Sequence, residues 1–209
     1  MDTTRAGKDV ASTLVGCVAT NQTRKELGLW AEVGARLVEE TRGNVRLWLH
    51  VDTPVRHWNV HALVADFALG EYVEVTGPPV DDTWLAAKYR ACTITFLPSS
   101  GEGFGYPLFE SLACGTPVVT GSYAGGGSLM AAFGLAHLLV PPVAWRLEGV
   151  HNCMRPVYRA EDFVTTILQA MEQHRAMEIS REAVAACVAH LDMMRLGKTW
   201  KKWLREGLA

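Results

Sequence analysis

Two carboxylates stand eight positions apart in the run Gly101-Glu102-Gly103-Phe104-Gly105-Tyr106-Pro107-Leu108-Phe109-Glu110. The glycines around Glu102 permit backbone angles closed to other residues and let the main chain approach a ligand. A helix expected from Pro107 would aim its free N–H groups and positive dipole end at the same spot, a natural seat for a phosphate. Two glutamates so placed could work as an acid/base pair. Alternatively, Glu110, flanked by Leu108, Phe109, Leu112 and Ala113, could accept two hydrogen bonds from a ribose diol. The bland readings are a ligand-free strand-to-helix turn and a solvated helix glutamate. Glu102 is the harder to explain that way, because no helix cap requires it. The spacing Gly-x-Gly-x-Gly is not the dinucleotide-binding fingerprint.

Arg24 and Lys25 follow Asn21-Gln22-Thr23 and open an expected helix. Cations in a first helical turn oppose the macrodipole, so a functional reason is favoured over a solvated helix start. Arginine grips a phosphate through two hydrogen bonds and lysine acts as a point charge. His57 and His61 are spaced i, i+4 but lack a third ligand, so no metal site is expected. Pro98-Ser99-Ser100-Gly101 is not a nucleophile elbow. Trp200 and Trp203 with Lys198, Lys201, Lys202 and Arg205 form a basic amphipathic helix, expected to pack back on the domain. Contact with a partner or a membrane surface is the minority reading.

The elements that position these residues alternate between strand and helix. Strands are expected at 13–18, 45–51, 72–76, 93–97, 118–120 and 138–140. Helices are expected at 24–40, 59–67, 83–91 and 107–114, with three more at about 160–175, 179–192 and 194–207. Asp81 and Asp82 are good N-caps, and Gly115 and Pro117 close the helix that carries Glu110. The alternation predicts an α/β fold: an open parallel sheet of about six strands with helices on both faces. In such sheets ligands bind beyond the carboxyl ends of the strands. Segments 20–25, 52–59, 76–82, 99–106 and 122–128 all fall there.

The chain of 209 residues suffices for one domain with a sizeable core. Its formal net charge of -2 gives no basic field pointing to nucleic acid or anionic lipid. Five scattered cysteines without a Cys-x-x-Cys pair read as free thiols in a reducing compartment. With no apolar signal core at the N-terminus and no run long enough to span a bilayer, the cytoplasm is the expected location.

The segment from Pro98 through Glu102 and Glu110 to Val119 resembles the Glu-x7-Glu signature of retaining glycosyltransferases of the GT-B fold, family 4. Val15-Gly16 with Asn21-Gln22-Thr23-Arg24-Lys25 is similar to that family's first strand and phosphate-binding basic residues. Val80 to Tyr89 resembles the helix before the signature, and the likeness covers nearly the whole chain.

The resemblance implies a single Rossmann-like domain, the C-terminal half of a GT-B fold, that binds a nucleotide-diphosphate sugar linked through UDP or GDP. In that reading Glu110 holds the ribose and Glu102 faces the donor sugar. Gly103, Phe104, Gly105, Tyr106 and Pro107 line the sugar and phosphates, the backbone N–H groups of Phe104, Gly105 and Tyr106 pointing at them. Arg24 and Lys25 neutralise the departing diphosphate, without a metal or other cofactor. Main-chain groups about Thr76 and Gly77 meet the base.

Two features depart from the family pattern. The acceptor domain is absent from this chain, whose first residues resemble an interdomain linker. Thr20 stands where the family often has an arginine, a role open to Arg24. The expected layout is a linker-like segment at 1–10, a donor-binding domain at 11–193 and a C-terminal helix at 194–209. The acceptor, a sugar, glycan or lipid, would then be held by a missing or separate domain. The alternative is a non-catalytic nucleotide-sugar binding module that recruits a partner enzyme.

Overall fold

The computed structural model describes residues 13–149, 151–176 and 180–207. The linker-like segment 1–10 lies outside the described residues. Six parallel strands form one sheet: β1 (Thr13–Ala19), β2 (Val45–Val51), β3 (Val73–Thr76), β4 (Ile94–Leu97), β5 (Val118–Gly121) and β6 (Leu139–Val140). Their order across the sheet is β3-β2-β1-β4-β5-β6. β2 is buried at every position except Arg46, as expected for a parallel strand covered on both faces.

The covering helices are α1 (Leu27–Glu40), α2 (Val60–Asp66), α3 (Asp82–Ala91), α4 (Tyr106–Ala113), α5 (Ala124–Ala132), α6 (Ala160–Arg175), α7 (Arg181–Val188) and α8 (Met193–Gly207). Caps place several of them. The Asp81 side chain accepts from the Trp84 N–H at 2.7 Å, and Asn59 and Ser180 act likewise at 3.1 and 3.0 Å. The main core packs β1, β2, β4 and β5 against α1, α4 and α6. A smaller one joins Trp48, Tyr89 and Cys92 beneath α3.

Four elements depart from the sequence expectation. The helix expected from Arg24 to Glu40 is broken. Residues Thr23–Lys25 form one 3-10 turn, Glu26 takes a left-handed conformation at φ 50°, and α1 begins at Leu27. That break turns the Lys25 side chain inward, where it is buried. Helix α5 was not expected, because Gly125, Gly126 and Gly127 weigh against a helix. Its glycines are explained by close approach: a Cβ on Gly125 would lie 1.9 Å from the Gly103 carbonyl oxygen. A hairpin of β7 (Ala144–Glu148) and β8 (Cys153–Val157), antiparallel and outside the main sheet, stands where only a loop was read. Finally, α8 leaves Met194, Trp200, Trp203 and Leu204 exposed, so its apolar face is not the packed one that was expected. The local periodicity is helical, but the described domain offers no surface along most of its length.

The loop after β1 is pinned by a fully buried asparagine. Asn21 donates through Nδ2 to the carbonyls of Thr53 and Trp58 at 2.9 and 2.8 Å, and its Oδ1 accepts from the Trp58 N–H at 2.9 Å. Its own N–H donates to Asp52 Oδ1 at 2.5 Å. Asn21→Ala strands the Thr53 carbonyl and the Trp58 N–H and leaves the Trp58 carbonyl with the Arg56 N–H alone. It should lower the unfolding free energy by about 3 kcal/mol, read as a reduced urea midpoint at unchanged slope.

Candidate functional site

Strands β1 and β4 are sheet neighbours whose following crossovers run in opposite directions, so the loops beyond their ends part and leave a crevice. Arg24 and Lys25 stand on the loop after β1, and Glu102 on the loop after β4. The structure brings the three together. Lys25 Nζ donates to Glu102 Oε1, and Arg24 Nη1 donates to Glu102 Oε2 at 3.1 Å. The Lys25 and Glu102 side chains are 5% and 9% exposed, whereas Arg24 is 32% exposed and reaches toward solvent. Two cations facing one carboxylate leave a local excess of positive charge.

Main-chain contacts weld the two loops. The Arg24 carbonyl accepts from the Ser100 N–H at 2.8 Å and from the hydroxyls of Ser99 and Ser100 at 3.1 and 3.2 Å. The Arg24 guanidinium donates in return to the Gly101 carbonyl at 2.6 Å. Gly105, at φ 86°, caps α4 in the left-handed region that glycine tolerates. The turn that it makes points the first N–H groups of α4 at the crevice. The Gly125 N–H of α5 donates to the Glu102 carbonyl at 3.3 Å and backs the loop from behind.

Glu110 sits one turn into α4. The buried Tyr89 hydroxyl of α3 donates to its Oε2 at 3.0 Å. Burial, and then the Glu110 charge, hold the Tyr89 phenol far above its ordinary range, so it remains a donor. Cys17 lies beneath the crevice, and burial pushes its thiol up to about 12, so it is no nucleophile at neutral pH.

A cleft of about 530 Å³ joins these groups. Arg24, Lys25, Glu102, the run Gly103 to Pro107 and Glu110 all line it. Thr76 and Gly77 do not, and their neighbour Pro78 does. Thr76 instead lies under the wall, bonded to Trp48 and His50. A Cβ on Gly77 would lie 2.8 Å from the Val51 carbonyl oxygen, so its main chain runs tight against β2. Thr20, in the place of the family arginine, shares the cleft with the Arg24 guanidinium. His50, Asp52 and Leu85 were missed as lining residues. The available signal for His50 was an imidazole near the carboxyl end of an apolar strand.

A larger groove of about 720 Å³ borders the cleft along α4, walled mainly by apolar residues of α7 and the start of α8. It shares Phe104, Tyr106 and Glu110 with the cleft but holds neither Lys25 nor Glu102, so the chemistry sits in the smaller space. Among the described residues no group of three or more His, Cys, Asp or Glu side chains is placed to hold a metal ion. No described helix is long and apolar enough to cross a membrane.

The hairpin stands over the other side of the Glu102 loop. Arg155 of β8 packs so close to Gly101 that a Cβ there would lie 2.1 Å from its Nη1. Its guanidinium donates to Glu148 Oε2 from Nε and Nη2 at 3.0 and 2.8 Å. That bond holds the Glu148 carboxyl down at about 2.

Parallel strands in this order, with a charged cluster at the point of reversal, define an α/β domain of the C-terminal GT-B type. Residues 12–173 match the family described as glycosyl transferases group 1, and the chain belongs to that family. A D-inositol 3-phosphate glycosyltransferase of Acidothermus cellulolyticus is 35% identical over 117 residues, covering 55% of this chain and 26% of that protein. The chain therefore spans about a quarter of the length of that curated relative. Among solved structures, the GtfA/B complex superposes with a TM-score of 0.74 at 16% identity, over 93% of this chain and 36% of the other. The pneumococcal O-GlcNAc transferase GtfA, solved with UDP and GlcNAc, gives 0.70 at 14% identity, over 95% and 36%.

Two tests follow from the site's electrostatics. Glu102→Ala leaves the buried Lys25 ammonium without its carboxylate and should lower stability by about 3 kcal/mol. Arg24→Ala, at a more exposed pair, should cost under about 1 kcal/mol; equal losses in chemical denaturation would contradict the asymmetry. For Glu148, the folded value lies below the unfolded one. The Arg155 clamp is thus at full strength above the ordinary carboxylate range and weakens as the pH falls toward 2. The Glu148 carboxyl carbon resonance should titrate near that value, and Arg155→Ala should raise it.

Proposed function

We propose that this chain is the donor-binding domain of a glycosyltransferase that moves a sugar from a nucleotide-diphosphate sugar to an acceptor with retention of configuration. A domain outside this chain would hold the acceptor. The observation that carries the reading is one cleft, at the sheet's switch point, lined by Arg24, Lys25, Glu102, the glycine loop and Glu110. Membership of the group 1 glycosyltransferases supports it.

The roles follow from placement. The diphosphate lies against Arg24 and Lys25 and the N-terminus of α4, where cations and free N–H groups converge. Glu110 accepts from the ribose hydroxyls with its position fixed by Tyr89. The sugar then extends past the loop 103–106 toward Glu102. In the transfer, the bond from the anomeric carbon to the diphosphate oxygen breaks, and its electron pair leaves with the diphosphate. Arg24 and Lys25 stabilise that growing charge, which makes the site fit the transition state better than the ground state. The acceptor oxygen forms the new bond on the face from which the diphosphate departs, and its proton passes to the departing diphosphate oxygen. Closure of a second domain would exclude water and complete the site.

Glu102 has two tasks here. It pairs with the cations and yields them to the diphosphate when the donor arrives. Calorimetric titration with UDP, GDP and their sugars should give saturable binding. Lys25→Met should weaken it by about 100-fold through loss of a charge-assisted contact. Glu102→Gln should leave nucleotide affinity within a few-fold and, in the full-length enzyme, cut transfer by orders of magnitude. No saturation by any nucleotide at millimolar concentration would remove the proposal.

A further inference from the structure

We propose that α8 docks flat on an anionic lipid bilayer, with the apolar stripe of Leu196, Trp200, Trp203 and Leu204 sunk among the headgroups and its cations on the lipid phosphates. The docking uses no residue of the donor cleft, so it holds or fails independently of the donor-site reading.

The sequence of α8 divides it into two faces. Leu196, Trp200, Trp203 and Leu204 follow the i, i+4, i+7, i+8 spacing that puts them on one side of a helix. Arg195, Lys198, Lys201, Lys202 and Arg205 fill positions between them, opposed within the helix by Glu206 alone. The whole chain has a formal net charge of -2, so the residues outside α8 are acidic in sum. A net charge taken over the chain therefore hides a basic surface gathered in this one element. Glu206 pairs with Lys202 at 3.8 Å, and Lys198, Lys201 and Arg205 have no ion-pair partner among the described residues.

The fold leaves both faces open. Arg195 and Leu196 line the groove along α4, but every residue from Lys198 to Glu206 is exposed. Trp200 and Trp203 are 60% and 62% exposed, and their rings meet edge to face with centroids 5.7 Å apart. With Leu204 they make one apolar patch in water, which is unfavourable in proportion to its area.

Charge decides what covers that patch. The cores of protein interfaces are depleted of lysine, yet Lys198, Lys201 and Lys202 all border this stripe. A second copy of the chain would bring the same cations against them, and like charges disfavour that contact. An anionic bilayer meets both faces at once. Indole rings settle at headgroup level, the leucines enter the acyl boundary, and the alkyl stems of lysine and arginine carry their charges up to the phosphates. At 1.5 Å per residue α8 is about 22 Å long and lies in the membrane plane; it is not long and apolar enough to cross.

The test is cosedimentation of the chain with vesicles of phosphatidylcholine alone and of phosphatidylcholine with about one third phosphatidylglycerol. Wild type should partition onto the anionic vesicles at least about tenfold more strongly than onto the neutral ones, and the excess should fade in concentrated salt. Lys198→Gln, Lys201→Gln and Lys202→Gln together should weaken the anionic partition about 100-fold, about fivefold for each charge near the surface. Trp200→Ser with Trp203→Ser should weaken it at least about tenfold with every cation in place. These side chains are exposed, so urea midpoints should not move and the losses report docking rather than folding. No partition of wild type onto anionic vesicles would overturn the inference, as would equal partition onto both kinds. Undiminished binding by the tryptophan variant would overturn it as adsorption of charge alone. A concentration-dependent dimer that binds neither vesicle would overturn it in favour of a second copy.

Discussion

One carboxylate holding two cations across the sheet's point of reversal organises this domain. Glu102 meets Lys25 and Arg24 from the facing loop, and the geometry around it serves that meeting. Lys25 turns inward from a 3-10 turn just before the left-handed Glu26, whose side chain accepts from Arg146 of the hairpin at 2.5 Å. Ser99 and Ser100 fasten the second loop to the Arg24 carbonyl. Glycine-rich α5 supports the Glu102 main chain at a distance that side chains would forbid. A buried ion pair is weak evidence for stability in its own right. Its value here is positional: it holds two cations of a site together at the open end of a rigid sheet.

The same arrangement sets the local electrostatics. The triad carries an uncompensated positive charge beside the N-terminus of α4, whose N–H groups add to it. In the proposed donor site, the diphosphate takes the place of the carboxylate against these cations. The same cleft is lined by Glu110, which is anchored by Tyr89, and by His50 and Asp52.

Much of this was legible from residues and spacing. Apolar, β-branched runs such as Val45–Val51 specify buried parallel strands, and caps such as Asp81 mark helix starts, so the six-stranded sheet and most of its helices could be read directly. The nearness of Arg24, Lys25 and Glu102 was legible in part: glycines around an acid singled out Glu102, whereas the helix start that singled out Arg24 and Lys25 is a 3-10 turn ahead of α1. Elements fixed by tertiary contact were not. Helix α5 opens on three glycines, which weigh against a helix until the neighbouring loop is in place. The break at Glu26 carries no local signal, and its side chain pairs with Arg146, far along the chain. His50 carries no motif, and its place in the cleft wall depends on its contacts with Trp48, Trp84 and Thr76. The exposed face of α8 illustrates the converse, since amphipathic period predicts a helix but not what covers it.

A crystal structure of the chain soaked with UDP tests the central claim most directly. The account predicts the diphosphate within hydrogen-bonding distance of Arg24 and Lys25 and the first turn of α4, with the ribose on Glu110. Nucleotide lodged instead in the apolar groove between α4 and α7, with the Lys25–Glu102 pair intact, would contradict it.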